Sequence, residues 1–335
     1  MMPFLLRNAE RELPSGKPMR HSLLGLIWAG SVFGSSIVLA RAITSAPESA
    51  PLSTPAPADD AASDLTHEPA HTQSDAVKAF RKTALSVGFP SNGLTLRGWV
   101  YKPAGDGPFP AMVWNHGAEK NPSARPEFGL FCTQHGYALF IPVRHGHNPS
   151  PGEYFGDTIQ DYIASGADRL SIQKKAVALE EESNQDVVAA VNWLKKQAYI
   201  NANAIAVTGV AYGGLQSLLA AERGLDLRAC IAFSPGAMSW GNREIRQRTI
   251  EAVHGTKVPV FLLQAENDYT LGPSDVLGPI IREKGGANQA KVYPAFGTTH
   301  AEGQIGFACW EEGIKIWGSD FLDFLKAAGM AENSQ

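Results

Sequence analysis

The stretch Thr208-Gly209-Val210-Ala211-Tyr212-Gly213-Gly214 lies between an apolar run, Ala204–Val207, and a helical pattern, Gly214–Glu222. Glycines on both sides of one central residue are what a very tight strand-to-helix turn requires, because bulky neighbours would clash there. Such a turn presents its central side chain at the edge of a sheet. Residue 211 is therefore the first candidate for a catalytic position.

Short apolar runs and helical patterns alternate on both sides of this turn. The predicted strands are Leu94–Tyr101, Ala111–Trp114, Ala138–Pro142, Ala204–Gly209, Ala229–Phe233, Val258–Gln264 and Lys291–Pro294. The predicted helices are Pro126–His135, Glu180–Gln197, Gly214–Glu222, Ser274–Lys284 and Glu311–Lys326. The later strands are continuously apolar, which is typical of strands buried on both faces. The alternation predicts an α/β fold whose mostly parallel sheet is flanked by helices.

An acid and a histidine follow two of the later strands, where ligand sites of such folds lie. Asp268 and Glu266 come directly after the strand that ends at Gln264, and His300 lies in the loop that follows the last strand. The carboxyl ends of parallel strands share one edge of the sheet, so these side chains can approach position 211. Asp268 is the preferred acid, and Glu266 is the alternative.

The turn, the acid and the late histidine, in that order, resemble an α/β-hydrolase of the dienelactone-hydrolase-like and acyl-peptidase-like branch. Asn115-His116-Gly117-Ala118 resembles the oxyanion loop of that family, and residues 144–152 resemble its basic, glycine-rich loop after the fourth strand. The resemblance covers about residues 80–328. It implies an α/β-hydrolase fold and hydrolysis of an ester, lactone or amide through an acyl-enzyme, with no cofactor.

Two positions depart from the family pattern. The family's turn reads Gly-x-Ser-x-Gly, whereas residue 211 is alanine, and a methyl group cannot attack a carbonyl carbon. The family's catalytic histidine directly follows a glycine and shortly precedes an aromatic residue. Residues 303–307 have this pattern with Gln304 at the histidine position. His300, four residues earlier, is the other candidate base, and the sequence leaves both positions open.

The resemblance implies roles for the remaining site residues. The backbone N–H groups of Tyr212 and Ala118 would bind the oxyanion, and Asp268 would orient the base. His116 and Arg144 are the candidate substrate-binding residues; Arg144 would either bind a substrate carboxylate bidentately or form a salt bridge within its own loop.

Two further patterns lie near the expected site. His116, His145 and His147 follow neighbouring strands and could mimic a metal site, but loop packing is the preferred interpretation, and we expect no metal. Residues 239–254 are amphipathic and predict a small helical cap segment.

Ala211 leaves three functions open. The chain is a hydrolase-family protein that is catalytically impaired as written, an engineered knockout of an active exported serine hydrolase, or an exported ligand-binding pseudoenzyme. An engineered change alters the nucleophile alone. A natural loss is favoured where Gln304 has replaced the base as well.

The N-terminal region has the pattern of an export signal. A positively charged segment precedes residues 22–40, which carry no charge and contain a short apolar stretch. The pattern predicts a signal peptide or signal anchor over residues 1–42, and therefore a periplasmic or secreted protein, with membrane anchoring as the alternative. Residues 43–78, rich in Pro, Ala and Ser, predict a disordered linker, and residues 79–335 the hydrolase domain.

Composition restricts the partners. Lys+Arg total 29 and Asp+Glu total 33, which gives a net charge of −4 and no support for nucleic-acid binding. The 3 cysteines are too few for a disulfide-rich scaffold and lack the spacing of a metal site. The expected partner is a small ester, lactone or amide, and a membrane is expected only through the N-terminal segment.

Overall fold

The computed structural model describes residues 71–330. The sequence predictions for residues 1–42 and for most of the linker lie outside the described residues. Strands of the described region form one eight-stranded sheet in the order β1-β2-β4-β3-β5-β6-β7-β8. The strands are β1 Leu85–Ser91, β2 Leu94–Tyr101, β3 Phe109–Asn115, β4 Ala138–Val143, β5 Ile200–Val210, β6 Ala229–Phe233, β7 Val260–Ala265 and β8 Gln289–Tyr293. β2 is antiparallel to both β1 and β4, and the other neighbours pair in parallel.

Helices cover both faces of this sheet. They are α1 Asp75–Phe80, α2 Pro126–Gln134, α3 Phe155–Ala164, α4 Arg169–Leu194, α5 Tyr212–Glu222, α6 Arg243–Gly255, α7 Gly272–Glu283 and α8 Glu311–Ala327. A π-helical turn, Glu302–Gly306, and a short α-helical turn, Phe307–Cys309, lie between β8 and α8. Across residues 71–330, none of the helices combines the length and apolar character needed to cross a membrane.

The central strand β5 shows why both faces are apolar. Ile205 and Val207 point into the core formed with α4, α5, α6 and α7, whereas Ala206 and Val210 point into the core formed with α2 and α8. Successive side chains of a strand alternate between faces, so a strand covered on both sides must be apolar throughout.

Two helices near the carboxyl edge of the sheet begin at clear polar caps. The side chain of Asp168 accepts hydrogen bonds from the backbone N–H groups of Leu170 and Ser171 and starts α4. The side chain of Asn242 starts α6 in the same way. Such caps satisfy backbone donors that have no partner within the helix. α4 therefore begins eleven residues before the predicted position, Glu180.

Residues 71–78 are folded, which corrects the predicted linker boundary. The ring of His71 stacks on Trp310 with 4.6 Å between centroids, and its Nε2 lies 2.8 Å from Glu127 Oε1. Ser74 caps α1 and also donates a hydrogen bond to Glu311. The segment is poor in large apolar residues, and Val77 is the one apolar side chain that it buries within residues 71–78, so its hydrophobic signal in the sequence is weak.

Candidate active site

Residue 211 lies at a sharp turn between β5 and α5. Its backbone dihedrals are φ 53° and ψ −116°, a left-handed conformation that costs a residue with a Cβ about 1–3 kcal/mol. Backbone hydrogen bonds hold this conformation: Ala211 N–H donates to Phe233 O, and Ala211 O accepts from Gly236 N–H. The structure thus contains the predicted tight turn, and the backbone at its central residue is strained.

The glycines of the turn are required by close packing. A Cβ at Gly209 or Gly213 would overlap the carbonyl oxygen of Asn115 at the end of β3. Asn115 also donates from Nδ2 to Ser217 Oγ on α5 at 2.9 Å. The turn at residue 211 and the end of β3 are therefore in close backbone contact, and a side-chain hydrogen bond adds to this contact.

Arg144 fixes the loop after β3. Its guanidinium donates to the carbonyl oxygens of His116 at 2.9 Å and Gly117 at 2.6 Å. The Gly117 carbonyl and the Ala118 N–H belong to one planar trans peptide, so they point in opposite directions. Binding of the carbonyl by Arg144 therefore directs the Ala118 N–H away from the guanidinium. Ala118 lines the cavity described below, as the oxyanion prediction requires.

His116 and Arg144 do not occupy a substrate-binding position, which corrects that prediction. Both are buried, and neither lines the cavity. His116 Nε2 accepts from the backbone N–H of Arg144 at 3.2 Å, and burial together with the Arg144 charge lowers the pKa of His116 well below its usual value. The two residues act as internal supports of the loop.

Asp268 lies on the loop after β7 and is buried. Its carboxylate accepts hydrogen bonds from Gln264 Nε2 at 2.7 Å, from the Tyr269 N–H at 2.6 Å and from Gln304 Nε2 at 2.9 Å. Burial raises the pKa of Asp268 to about 6, although these hydrogen bonds favour the charged form. The alternative acid, Glu266, is exposed.

Gln304 and His300 are in different surroundings. Gln304 is buried on the π-helical turn, contacts Asp268 and lines the same cavity as Ala211. His300 is exposed; its Nδ1 lies 3.0 Å from the backbone carbonyl of Asn267, and its ring lies beside Tyr269. Of the two candidate base positions, the structure brings position 304, and not His300, into contact with the acid.

A cavity of about 320 Å³ opens over the turn at Ala211. Backbone and side chains of the expected site form its floor: Gly117, Ala118, Ala211, Tyr212 and Gln304. Its walls are mostly apolar and come from α3, α4, α6 and the loop after β6, including Phe155, Ile159, Ile172, Leu179, Met238 and Ile245. The predicted cap, residues 239–254, supplies part of this wall.

Sequence reasoning missed most of the cap. α3 and the first half of α4 contribute more of the lining than α6, and they carry their apolar residues toward a cavity rather than toward the main core. The missed polar residue is Glu180, a buried carboxyl in the wall. A carboxyl residue next to Leu179, in an otherwise apolar part of the helix, was the sequence feature that could have indicated it.

His145 and His147 are packing residues of the basic loop. His145 Nδ1 lies 2.6 Å from Asp186 Oδ2, and this contact raises the pKa of His145. His147 Nδ1 lies 2.8 Å from the backbone carbonyl of Glu119, and burial lowers the pKa of His147 to about 3. Each ring is thus bound to a protein acceptor outside the basic loop, on α4 for His145 and in the loop after β3 for His147.

The sheet order, the strained turn after β5 and the acid after β7 define an α/β-hydrolase. Within that class the chain belongs to the family described as X-Pro dipeptidyl-peptidase (S15 family), which matches residues 92–275. This match covers more than half of the chain and includes the oxyanion loop, the turn at Ala211 and Asp268.

Two further proteins are similar to this chain. A polyketide transferase, grgF, of a Penicillium species is 29% identical over 165 residues, which are 49% of this chain and 49% of that protein. The chain thus matches about half the length of that relative. Protein usf of Aquifex pyrophilus is 26% identical over 225 residues, 64% of this chain and 85% of that protein.

Solved structures support the fold. The acylaminoacyl peptidase of Pyrococcus horikoshii has a TM-score of 0.54 at 16% identity, over 75% of this chain and 42% of that chain. The Pyrococcus furiosus esterase Pf2001 has a TM-score of 0.50 at 17% identity, over 78% of this chain and 97% of that chain. The predicted α/β-hydrolase fold is confirmed.

Proposed function

We propose that this α/β-hydrolase binds a small, mostly apolar ester- or amide-like ligand without hydrolysing it through the family's serine mechanism. The observation that carries this proposal is the pairing of Gln304 with Asp268 beside a turn that holds alanine. Both side chains needed for proton transfer and attack are replaced, while the cavity around them is kept.

The chemistry of these two side chains supports the proposal. An alanine methyl forms no bond to a carbonyl carbon, and a glutamine amide accepts no proton at ordinary pH. Removing the serine or the histidine of a serine protease triad lowers kcat by roughly 10⁶-fold. Loss of both leaves only the contribution of the oxyanion donors and of binding.

An engineered knockout of an active exported hydrolase is the second candidate. It accounts for Ala211 but leaves Gln304 unexplained, because a knockout needs only one change. The contact between Gln304 and Asp268 therefore favours a natural loss of function.

The ligand class follows from the lining of the cavity. Apolar walls with few polar groups suit a compound that is mostly carbon and carries ester, amide or ketone oxygens. The relative named as a polyketide transferase is consistent with a carbon-rich acyl compound.

Three variants test the proposal: Ala211→Ser, Gln304→His and the double variant. We expect no labelling by a fluorophosphonate and only background hydrolysis of p-nitrophenyl acetate in the unmodified chain and in both single variants. The double variant should gain labelling and at least about 10²-fold in turnover, because the triad residues act as a unit. Adding Asp268→Asn to the double variant is the control and should remove most of the gain.

Other outcomes distinguish the candidates. Full activity of Ala211→Ser alone would assign the base to His300 and support the knockout. Strong activity of the unmodified chain would mean that a residue other than 211 performs the chemistry, and the proposal would fail.

We also propose that the chain is exported. The charge pattern before residue 22 and the uncharged segment up to Ala40 support a signal peptide. The N-terminus of the mature protein, read by mass spectrometry after expression in a bacterium with an intact secretion system, should lie between residues 40 and 46. An intact N-terminus on cytoplasmic protein would contradict export.

A further inference from the structure

Glu180 is a buried carboxyl in the wall of the cavity. It lies on α4, is 4% exposed and lines the same cavity as Ala211 and Tyr212. The neighbouring wall is apolar, with Leu179 and Ala176 on the same helix. A carboxyl in this position meets any ligand that fills the cavity.

The hydrogen bonds of Glu180 fix its orientation. Asn184 Nδ2 donates to Gln216 Oε1, so Gln216 presents its Nε2 to Glu180 Oε2 at 2.8 Å. The same Nε2 also donates to the backbone carbonyl of Glu180. The Tyr212 phenol is its other hydrogen-bonding neighbour and favours the charged form of Glu180; the phenol oxygen also lies 3.1 Å from Ser183 Oγ.

The charges around Glu180 leave it without an ion-pair partner among residues 71–330. Glu119 lines the same cavity, but Arg125 binds it at 2.8 Å. Arg144, from the loop after β4, attracts the Glu180 charge at longer range, whereas Glu181 on the same helix repels it. Burial dominates and raises the pKa of Glu180 to about 8. Glu180 is therefore mainly neutral at pH 7, and the wall carries no net charge.

We propose that Glu180 is a polar recognition point of the cavity, apart from the backbone donors of Ala118 and Tyr212, and that, in its protonated form, it donates a hydrogen bond to the carbonyl oxygen of a neutral, otherwise apolar ligand. This inference rests on the proposed ligand-binding function and names the ligand class. Arg125 also lines the cavity but is paired with Glu119, so a ligand carboxylate would compete with that pair and pay a desolvation cost there.

Titration calorimetry with 2-octanone and with octanoate tests this recognition. The ketone accepts hydrogen bonds, cannot be hydrolysed and carries no charge, and octanoate matches its chain length. We expect the ketone to bind more tightly than octanoate at pH near 6.5. Raising the pH to about 9 should weaken ketone binding about tenfold, the factor for a ligand that binds only the neutral acid.

Glu180→Gln is the decisive variant, because an amide keeps a donor and cannot ionise. Its affinity for 2-octanone should stay within about threefold of the unmodified chain at pH 6.5 and should not change at pH 9. The matched control, Glu182→Gln, changes an exposed carboxyl on the same helix and should keep the full pH effect. Difference infrared spectra should show a protonated-carboxyl band that Glu180→Gln lacks.

The outcomes separate the two proposals. If neither probe binds, the proposed ligand-binding function fails. If the ketone binds with no pH dependence, or if Glu180→Gln retains that dependence, the inference about Glu180 fails and ligand binding stands. Tighter binding of octanoate than of the ketone would also overturn the recognition proposed here.

Discussion

The oxyanion side of the site, residues 115–118 and 209–213, is built around the backbone turn at Ala211, whereas the acid–base side, residues 264–269 and 300–306, brings the amide of Gln304 to the Asp268 carboxylate. The first side works through backbone atoms. Its conformation is held by the pairing of β5 with β3 and β6 and by backbone hydrogen bonds of Ala211 to Phe233 and Gly236, and the strand pairing also supports the sheet. The second side works through single side chains. A change that disrupts the backbone on the oxyanion side would therefore destabilise the fold, whether or not the protein catalyses a reaction.

The largest expected effect comes from the closest backbone contact of the oxyanion side. Gly213→Ala places a methyl group against the Asn115 carbonyl and should lower the free energy of unfolding by about 4 kcal/mol. Urea unfolding followed by circular dichroism measures it. The control is Gly241→Ala, where the added Cβ meets open space and a change within about 1 kcal/mol is expected. Equal effects at both glycines would contradict the comparison.

A second large effect is expected at the support of the oxyanion loop. Arg144→Met leaves the carbonyl oxygens of His116 and Gly117 without their buried donor and should cost about 3 kcal/mol. Arg243→Met, at an exposed position, should change stability by less than about 0.5 kcal/mol. If Arg144→Met leaves the free energy of unfolding almost unchanged, the loop keeps its conformation without Arg144.

On the acid–base side, the stability contribution of Asp268 should depend on pH. The pKa of Asp268 is about 6 in the folded chain and has an ordinary value of 3.8, so the folded state keeps this proton to higher pH. Stability from this group is therefore present below pH 4 and is lost as the pH rises through 6, by about 3 kcal/mol at most.

Asp268→Asn removes that titration. The stability difference between the unmodified chain and the variant should shift by up to about 3 kcal/mol between pH 4 and pH 7, measured by urea unfolding at several pH values. Glu266→Gln, at the exposed acid, serves as the control and should leave the slope unchanged. Parallel pH curves for Asp268→Asn would rule out a raised pKa.

The smallest effect is expected at the turn itself. Ala211→Gly relieves the strained backbone and should raise the free energy of unfolding by about 1 kcal/mol, after the added flexibility of the unfolded glycine is subtracted. Ala189→Gly, in the regular helix α4, should instead lower it by about 1 kcal/mol. Destabilisation by both changes would show that residue 211 carries little strain.

Much of the fold could be predicted because buried parallel strands have long apolar runs. β1 escaped prediction, since Gly88 and Pro90 interrupt it and it pairs only at the edge of the sheet. α3 and the start of α4 escaped because their apolar residues face a cavity. The spacing of apolar residues predicts elements that pack in the core far better than elements that line a pocket.

The site was predictable where a residue type is tied to backbone geometry, as at Gly209, Ala211 and Gly213. It was less predictable where loop conformation decides. Gln304 and His300 are four residues apart, and the π-helical turn determines which of them contacts Asp268. Arg144 shows a further limit, because its charge suggested a ligand contact while its guanidinium binds backbone carbonyls inside the protein.

The conformation of residue 211 has a genetic consequence. Alanine and serine codons of the GCN and TCN type differ by a single base, and glutamine and histidine codons differ only at the third base. Because the backbone already holds position 211 at φ 53° and ψ −116°, no loop has to be remodelled before a serine there is presented correctly. On our assignment of the two positions, a hydrolase triad is therefore separated from this sequence by point mutations alone, and a mutant library selected for ester hydrolysis should find that route.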